Sequence, residues 1–403
     1  MAENFVITGA QVFDGEKHRG RPDVRVAGGV IAAVGGPRTP DDQVIDAAGA
    51  TLLPGLIDAH THADEASLRQ ALTFGITTEL DLLSIPAKMV PLRRTVADSF
   101  DLADVRSPSI GLTPTGGHPH QLRKEQGDPA WPTASSVEEV PGFVADRIAE
   151  GADYLKVLIE DGRVLGTRVP VLAQDVLEAA VREAHANGLK VLAHALTLDA
   201  TRRAVDAGVD ALTHLFVDAP HTPEIVARIA DAGIFVIPTL STLASITGQD
   251  AGAELAADPR VRPKVTPAWL ESLAETWHTS PAANFTFALE TVAALHAAGV
   301  DVLAGTDAAH LGAPGMAHGA SLHGELRLLV RAGFTPVQAL HAATALTARR
   351  FELADRGRIE PGLRADLLLV DGDPTTKIDD TLSVRAVWRQ GVRLALDPVA
   401  TTA

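Results

Sequence analysis

Residues 52–65 read LLPGLIDAHTHADE, an apolar run that closes with two histidines, His60 and His62. Successive side chains of a β-strand point to opposite faces, so histidines two positions apart point the same way. A shared direction is what two ligands of one metal ion require. An isolated H-x-H pair is more often a pair of loop histidines, so the rest of the chain has to decide between the two interpretations.

Seven further short apolar runs follow, and amphipathic stretches such as DVLEAAVREAHANG (175–188) and LDATRRAVDAG (198–208) separate several of them. The runs are GITTELDLL (75–83), PSIGLTPTG (108–116), DYLKVLIED (153–161), LKVLAHA (189–195), DALTHLF (210–216), IFVIPTL (234–240) and DVLAGTD (301–307). Both amphipathic stretches end in glycine, as helices commonly do. Eight strands alternating with helices predict an α/β fold, a (β/α)8 TIM barrel, whose chemistry lies at the carboxyl ends of the strands.

The two ends of the chain have a different texture from the middle. The first 50 residues read as short alternating strands broken by glycine, and the segment GRIEPGLRADLLLVDGDP (357–374) returns to that pattern. We therefore expect a small β-sandwich domain built from residues 1–52 and 356–403. Residues 53–355 are expected to form the barrel.

Composition favours a globular protein that acts on small molecules. The chain has 403 residues, a formal net charge of −16 and 21% charged residues, which argues against nucleic acid or a membrane as the main partner. It contains no cysteine, so a metal has to be held by histidine, aspartate, glutamate or a modified lysine. The start lacks signal-peptide features and no apolar run reaches the roughly 18 residues of a membrane span, so we expect a cytoplasmic location. The sequence leaves the oligomeric state undetermined, and a homo-oligomer is one of the possible states.

Four further residues with metal-binding chemistry lie within or at the end of these runs, namely Lys156, His194, His214 and Asp307. Each has a structural alternative when taken alone, as a lysine reaching solvent, a hydrogen-bonded core histidine or a helix N-cap. Chance rarely places such residues at five strand ends of one barrel, so together with the first two histidines they indicate a metal site. A desolvated lysine amine beside a cation can also take up CO₂, and the resulting carbamate can bridge two metals.

In these motifs the chain resembles the amidohydrolase superfamily, specifically the clade of imidazolonepropionase-like hydrolases and metal-dependent Xaa-Pro or Xaa-Arg dipeptidases. The resemblance covers nearly the whole chain. It rests on the segments PGLIDAHTH (54–62), GADYLKV (151–157), VLAHALTLDATRRAVDAGVDALTH (191–214), AGTDA (304–308), HGASLHGELRLLVRAGFTPVQALHAAT (318–344) and GRIEPGLRADLLLVDGDP (357–374).

The resemblance implies two divalent metals, and zinc is expected for imidazole and carboxylate ligands. The implied ligands are His60, His62 and Asp307 for one metal and His194 and His214 for the other, with carboxylated Lys156 as the bridge. The implied reaction is hydrolysis of an amide-type carbon–nitrogen bond, as in dipeptides or N-acyl amino acids. In it, a hydroxide that bridges the metals attacks the carbonyl carbon, and Asp307 accepts the proton and passes it to the leaving group.

Three further histidines are candidates for contact with the substrate. His118, in TPTGGHPHQ (113–121), matches a GGH segment of relatives and is expected to act on a carbonyl or carboxylate of the substrate. His120 and His318 are candidates for substrate binding on weaker grounds. Each of the three has an alternative as a turn or packing residue.

Two other features bear on substrate choice. Glu160 and Asp161 follow the lysine strand and fit a solvated loop pair better than a substrate contact. Residues 239–284 are too long for a simple loop and form a lid candidate. Its aromatic residues Trp269 and Trp277, with the adjoining Phe285, either wall an apolar pocket or anchor helices.

Several functions stay open on this sequence. The same site fits a hydrolase of lactones, esters or carbamates. A second alternative is a mononuclear hydrolase of cyclic amides, similar to imidazolonepropionase, which would bind one metal instead of two. A non-catalytic binding protein on the same fold is disfavoured, because all six implied ligands are present. Deamination is disfavoured, because Thr197 stands where deaminases of the superfamily usually carry the glutamate of H-x-x-E.

Overall fold

The computed structural model describes residues 4–121, 131–279 and 283–395. Its strands are β1 (Phe5–Thr8), β2 (Gln11–Val12), β3 (Val24–Ala27), β4 (Val30–Val34), β5 (Gln43–Asp46), β6 (Ala50–Pro54), β7 (Leu56–Thr61), β8 (Ile76–Asp81), β9 (Asp104–Arg106), β10 (Leu155–Leu158), β11 (Val191–His194), β12 (Ala211–Thr213), β13 (Phe235–Ile237), β14 (Leu367–Asp371), β15 (Val384–Arg389) and β16 (Val392–Arg393).

The α-helices are α1 (Glu65–Thr73), α2 (Pro86–Ala97), α3 (Val140–Ala149), α4 (Gln174–Ala186), α5 (Leu198–Ala207), α6 (Pro223–Asp231), α7 (Leu240–Ile246), α8 (Ala251–Ala257), α9 (Pro267–Ala274), α10 (Phe285–Ala297), α11 (Ala320–Arg331), α12 (Pro336–Ala342) and α13 (Ala345–Arg350). The predicted helices at 175–188 and 198–208 correspond to α4 and α5. Helix α5 begins where the hydroxyl of Thr197 accepts from the backbone N–H of Ala200, and it ends at Gly208 with φ of 79°. A capping hydroxyl at the start of a helix and a glycine with positive φ at its end are both common. Within the described ranges, no helix is long and apolar enough to cross a membrane.

The middle of the chain forms a ring of parallel strands. One sheet contains β7, β8 and β9, and a second contains β10, β11, β12 and β13. Single parallel pairings of Leu112 with Val157, of Val236 with Val302 and of Thr61 with Ala308 join these sheets into a ring. Residues 301–308, here called the closing segment, therefore lie between β13 and β7. The fold is TIM-barrel-like, as the alternation of strands and helices predicted.

Two of the predicted strands differ from the observed ones. The run predicted at 108–116 is preceded by β9, and only its Leu112 is paired with β10. Pro108 lacks an N–H and Ser109 has φ of 61°, so both interrupt the ladder. The run predicted at 301–307 lies in the closing segment, which makes single pairings without forming a regular strand.

The two chain ends form two small sheets, of which the first contains only N-terminal strands and the second contains strands from both ends. Their strand orders are β4-β3-β1-β5 and β16-β15-β14-β6-β2. They share one buried apolar cluster, in which the rings of Phe5 and Trp388 stack with centroids 5.6 Å apart. We propose these sheets as the β-sandwich domain expected at 1–52 and 356–403; residues 1–3 and 396–403 lie outside the described residues.

The small sheets meet the ring inside the stretch LLPGLIDAHTH. Strand β6 ends at Pro54 and β7 begins at Leu56. Any Cβ on the intervening Gly55 would lie 2.2 Å from Oγ1 of Thr77, so this position accepts no side chain. The histidine strand of the ring therefore follows the small sheets after a single glycine.

The lid candidate is largely helical, because it contains α7, α8 and α9; its residues 280–282 lie outside the described residues. The backbone carbonyl of Ser272 accepts from Gly315, and the hydroxyl of Thr279 donates to the carbonyl of Val164, both at 2.7 Å. The segment thus contacts the loops that follow β10 and the closing segment, which lie at the carboxyl ends of the ring strands.

Its aromatic residues have different surroundings. The Trp277 side chain is 38% exposed, whereas Phe285 is buried and the guanidinium of Arg331 lies 5.8 Å from its ring centroid. Trp269 packs edge-on against His318, with ring centroids 6.0 Å apart. Phe285 therefore anchors a helix, as one of the two sequence alternatives expected.

A cluster of charges links the ring to the C-terminal part of the chain. Asp104 of β9 accepts hydrogen bonds from Nη1 of Arg356 at 2.5 Å and from Nη1 of Arg364 at 2.9 Å. Nη2 of Arg389 lies 4.0 Å away. The side chains of Arg356 and Arg389 are only 3% and 2% exposed, so Asp104 neutralises cations that have little access to water.

Replacing Asp104 with alanine is expected to lower the free energy of unfolding by about 3 kcal/mol, because the buried cations lose one of their carboxylate partners. The control is Asp371→Ala, since Asp371 pairs with Arg385 at the surface, where an ion pair contributes less than about 1 kcal/mol. Urea denaturation measures both variants. Equal losses for the two variants would contradict the assignment.

The same cluster predicts a difference in pH dependence. Burial alone would raise the pKa of Asp104, but the charges of Arg356, Arg106 and Arg364 outweigh burial and hold that pKa below its usual range. A carboxyl group with a lowered folded-state pKa stabilises the fold above its unfolded-state pKa of about 3.9 and loses this contribution as the pH falls further. Below about pH 4, the stability of the wild type should therefore fall more steeply than that of Asp104→Ala.

Candidate metal centre

Three of the predicted ligands form a tight group at the carboxyl end of the first ring strand. Nε2 of His60 lies 3.1 Å, and Nε2 of His62 lies 2.9 Å, from Oδ1 of Asp307. One ligand atom from each side chain lies within 4.8 Å of the other two. Two imidazoles and a carboxylate at this spacing are a donor set that suits a divalent metal such as zinc.

The other three predicted ligands lie beside this group. The ring centroid of His214 lies 4.8 Å from that of His60 and 4.6 Å from that of His194. Lys156 donates a hydrogen bond from Nζ to Oγ1 of Thr213, the residue before His214. The fold therefore brings all six predicted side chains into one region of the ring.

Backbone strain marks two of these positions. His214 and Asp307 have φ of 71° and 61°, in the left-handed region that residues other than glycine seldom adopt. Such conformations cost on the order of 1–3 kcal/mol each and cluster at functional sites. The strain is a feature of the folded chain that the sequence pattern did not predict.

Burial sets the protonation of the site. It lowers the pKa of His60 and of His194 to about 3, so both imidazoles are neutral near pH 7. It lowers the pKa of Lys156 to about 7, although the charge of Asp307 acts in the opposite direction. A substantial fraction of the lysine is then the free amine, the form that reacts with CO₂.

Asp307 and His62 form the charged part of the site. Burial alone would raise the pKa of Asp307, but the charge and hydrogen bonds of the histidines outweigh it and hold that pKa well below its usual range. Burial also acts to lower the pKa of His62, but the hydrogen bond and charge of Asp307 outweigh it and raise that pKa. Asp307 is therefore a carboxylate, free to act as a ligand or a base.

Outer partners fix the orientation of three histidines. Nδ1 of His62 lies 3.0 Å from the carbonyl oxygen of Leu83, and Nδ1 of His214 lies 2.7 Å from Oγ1 of Thr239. His194 uses its other nitrogen, because its Nε2 lies 3.0 Å from Oε2 of Glu160. Metal-binding histidines commonly hold such a partner on the nitrogen that does not face the metal, so the site fits the implied ions.

Asp58 connects the two segments that carry the tight group. Its Oδ1 accepts from the backbone N–H of His60 at 3.2 Å and of Thr306 at 3.0 Å, and its Oδ2 accepts from the Thr306 hydroxyl at 2.7 Å. Asp58 is completely buried. Sequence reasoning missed this role, although an aspartate two positions before His60 in an apolar run was a usable signal.

Glu325 of α11 supports the partner of His214. Its carboxylate accepts from the backbone N–H of Leu240 at 2.9 Å and of Ser241 at 2.7 Å, directly after Thr239. Thr239 has φ of 49°, and these bonds hold the start of α7 around it. Burial raises the pKa of Glu325 to about 7. No sequence pattern predicted this contact, which joins elements far apart in the chain.

Two of the substrate candidates lie in the loop after the third ring strand. The ring of His118 lies 4.9 Å from that of His194, and its Nδ1 lies 2.7 Å from Nε2 of Gln121. Burial lowers the pKa of His118 to about 3, so its ring is neutral near pH 7. His120 holds the carbonyl oxygen of Gly117 with Nδ1 at 2.8 Å, which matches its alternative as a turn residue.

His318 has surroundings that do not favour a substrate contact. Its side chain is fully buried, with Nδ1 3.0 Å from Oε1 of Glu79 and Nε2 3.1 Å from the carbonyl oxygen of Ala309. Both ring nitrogens are therefore engaged by the protein. Because Ala309 lies two residues after Asp307, the pair of His318 and Glu79 supports the loop that carries this ligand.

The expectation of a solvated pair at Glu160 and Asp161 is wrong for Glu160. The side chain of Glu160 is 0% exposed and contacts His194. Asp161 is partly exposed and pairs with Arg163 and Arg168, as a loop residue does. The difference arises because adjacent side chains in the extended segment after β10 point to opposite sides, which places one acid inside the site and the next one outside.

The fold and the site together define a TIM-barrel-like α/β protein with histidines, a lysine and an aspartate gathered at one end of its ring. The model of the amidohydrolase family matches residues 51–394. The chain therefore belongs to the amidohydrolase family, which confirms the resemblance drawn from its motifs.

Individual relatives match most of the chain. An uncharacterized protein of Mycobacterium tuberculosis (strain ATCC 25618 / H37Rv) is 29% identical over 343 residues, which cover 83% of this chain and 82% of that protein. N-acyl-D-glutamate deacylase of Alcaligenes xylosoxydans xylosoxydans is 26% identical over 458 residues, which cover 96% of this chain and 89% of that protein. The crystal structure of a Xaa-Pro dipeptidase with bound methionine in the active site has a TM-score of 0.77 at 23% identity and covers 97% of this chain and 100% of that one. This last likeness shows the fold.

Proposed function

We propose that this protein is a binuclear metal-dependent hydrolase of amide-type carbon–nitrogen bonds, such as those of dipeptides or N-acyl amino acids. The observation that carries the proposal is the convergence of His60, His62 and Asp307 on one point, with the other predicted ligands beside them. Membership of the amidohydrolase family and the similarity to an N-acyl-D-glutamate deacylase support the bond type.

The residues of the site fit a pair of ions. His60, His62 and Asp307 would hold one ion and His194 and His214 the other, with Lys156, carboxylated at Nζ, between them. When bound, divalent ions such as zinc lower the pKa of a water molecule and polarise a carbonyl group. The buried imidazoles remain neutral ligands near pH 7, so they keep a lone pair available without a loss of protons.

Asp307 is assigned the proton transfers. Its Oδ1 faces both His60 and His62, so we assign Oδ2 to accept a proton from the attacking water and to deliver it to the leaving amine. His118 is neutral and lies beside His194, and its imidazole N–H is assigned to the oxygen of the substrate carbonyl. Each assignment concerns a side chain within the region of the predicted ligands.

Metal content tests the binuclear proposal. Protein supplied with zinc and bicarbonate is expected to contain two zinc ions per chain by elemental analysis. Chelation should lower the hydrolytic rate by about 1000-fold or more, and added zinc should restore it, because the site loses its Lewis acid. A content of one ion or fewer after this treatment would contradict the second site.

A substrate panel tests the bond type. Dipeptides, N-acyl amino acids, lactones and carbamates are offered to the zinc-loaded protein at equal concentration. We expect turnover of at least one of the first two classes and weaker turnover of the others. Turnover of lactones or carbamates alone would overturn the amide assignment while leaving the metal centre in place.

A further inference from the structure

Glu160 is a buried acid next to the site that the proposed reaction does not use. It follows β10, four positions after Lys156, and its side chain is 0% exposed. Its Oε1 accepts from the backbone N–H of Gly162 at 2.6 Å, and its Oε2 lies 3.0 Å from Nε2 of His194. A short turn thus holds the carboxyl group with one oxygen directed at an imidazole.

No described ion pair joins Glu160 to the arginine nearest to it in the sequence. Arg163 lies three positions further on, but its guanidinium pairs with Asp161 and Asp218 at 3.2 and 3.7 Å. A carboxyl group out of water is unfavourable unless its oxygens are satisfied. Among its described contacts, the carboxyl group of Glu160 has the backbone N–H of Gly162 on one oxygen and the imidazole of His194 on the other.

The contact selects which nitrogen of His194 carries hydrogen. A carboxylate only accepts hydrogen bonds, and a neutral imidazole has a single N–H. The partner of Glu160 must then be Nε2–H, which leaves the lone pair of His194 on Nδ1. His62 and His214 are held in the opposite sense, because their Nδ1 atoms contact protein oxygens, and Nε2 of His62 faces Oδ1 of Asp307.

We propose that Glu160 is a positioning residue of the metal centre, which fixes His194 in the Nε2–H form so that Nδ1 is presented to the second metal. The proposal rests on the metal-dependent function proposed above. Loss of such an outer partner typically weakens metal affinity by about 10–100-fold. Glu160 is then expected to matter for the second ion more than for the first, which is held by a different set of residues.

The test compares Glu160→Ala and Glu160→Gln with Asp161→Ala as the matched control. Asp161 is the adjacent acid of the same loop, but it is partly exposed and pairs only with arginines among its described contacts. Nitrogen NMR of the full metal-free chain reports the tautomer of each histidine, and the signals of His194 are those lost in His194→Asn. We expect the Nε2–H form in the wild type and in Asp161→Ala.

The two variants should distinguish the effect of losing the Glu160 contact with His194 from a general effect on folding. Glu160→Ala is expected to lose the single tautomer of His194 and to bind the second zinc about 10–100-fold more weakly, as measured by zinc titration. Glu160→Gln keeps an acceptor oxygen, so it should retain the tautomer and most of the affinity. Its circular dichroism spectrum should match that of the wild type, which keeps the proposal testable if the alanine variant does not fold.

Two results would overturn the proposal. One is a wild-type His194 that carries its proton on Nδ1, and the other is a folded Glu160→Ala variant with unchanged tautomer and unchanged second-site affinity. Failure of the proposed function would look different, because the wild type would then bind fewer than two zinc ions. The tautomer measurement on metal-free protein does not depend on that outcome.

Discussion

Replacing Asp307 with asparagine is expected to lower kcat/KM by about 1000-fold or more for whichever substrate is turned over. Asparagine keeps the size of the side chain but removes the charge that faces His60 and His62, and it cannot accept and return a proton at neutral pH. Zinc titration of the variant should also show weaker binding at the first site. The variant is assayed at saturating zinc so that lost chemistry and lost metal are distinguished.

The matched control is Asp301→Asn. Asp301 begins the closing segment, six positions before Asp307, and it pairs with Arg349 and Arg350. It lies toward the amino-terminal end of the ring, where residues of this fold type contribute to stability and not to catalysis. Its replacement should leave kcat/KM within about threefold of the wild type. If Asp301→Asn lowered kcat/KM as much as Asp307→Asn does, the assignment of proton transfer to Asp307 would be contradicted.

Lys156→Ala is expected to reduce the zinc content from two ions per chain to one or fewer and to lower kcat by about 1000-fold. The variant loses the amine that would carry the bridging carbamate. In the wild type, metal-free protein reloaded with zinc should recover more activity with bicarbonate present than in CO₂-depleted buffer. Elemental analysis and steady-state rates measure these effects.

Lys264 offers a control with a similar environment. Burial lowers its pKa to about 8, and its amine lies 4.9 Å from the ring centroid of Phe74, away from the predicted ligands. Lys264→Ala should lower stability without changing the zinc content. If Lys156→Ala keeps two ions and full activity, the bridge assigned to this lysine is wrong.

Much of the candidate site followed from the position of residues along the chain. The runs that contain Lys156 and His194 became regular strands, and both residues lie in them. The closing segment was predicted as a strand but forms only single pairings, and near its end Asp307 adopts a left-handed backbone. Such a conformation is stabilised by contacts from the rest of the fold, so the pattern of apolar and polar residues does not predict it.

The partners of the predicted ligands were the part that sequence reasoning could not supply. Asp58 and Thr306 are 248 positions apart and are joined by hydrogen bonds across the closure of the ring. Glu79 and His318 are 239 positions apart, and their contact engages one ring nitrogen of a residue that the sequence makes a substrate candidate. Such pairs come together only in the closed ring, because the sequence around either residue contains no information about its distant partner.

The sequence by itself determined the alternation of strands and helices and the placement of His60, His62 and the later ligands within or at the end of the apolar runs. Hydrophobic periodicity encodes these features, because burial of one face is a property of each segment alone. The tertiary structure decided which nitrogen of each histidine is engaged, the strained backbone at His214, and the burial of Glu160 beside His194. These depend on how distant segments pack around one point, and packing geometry is set by the whole chain and not by any one stretch of it.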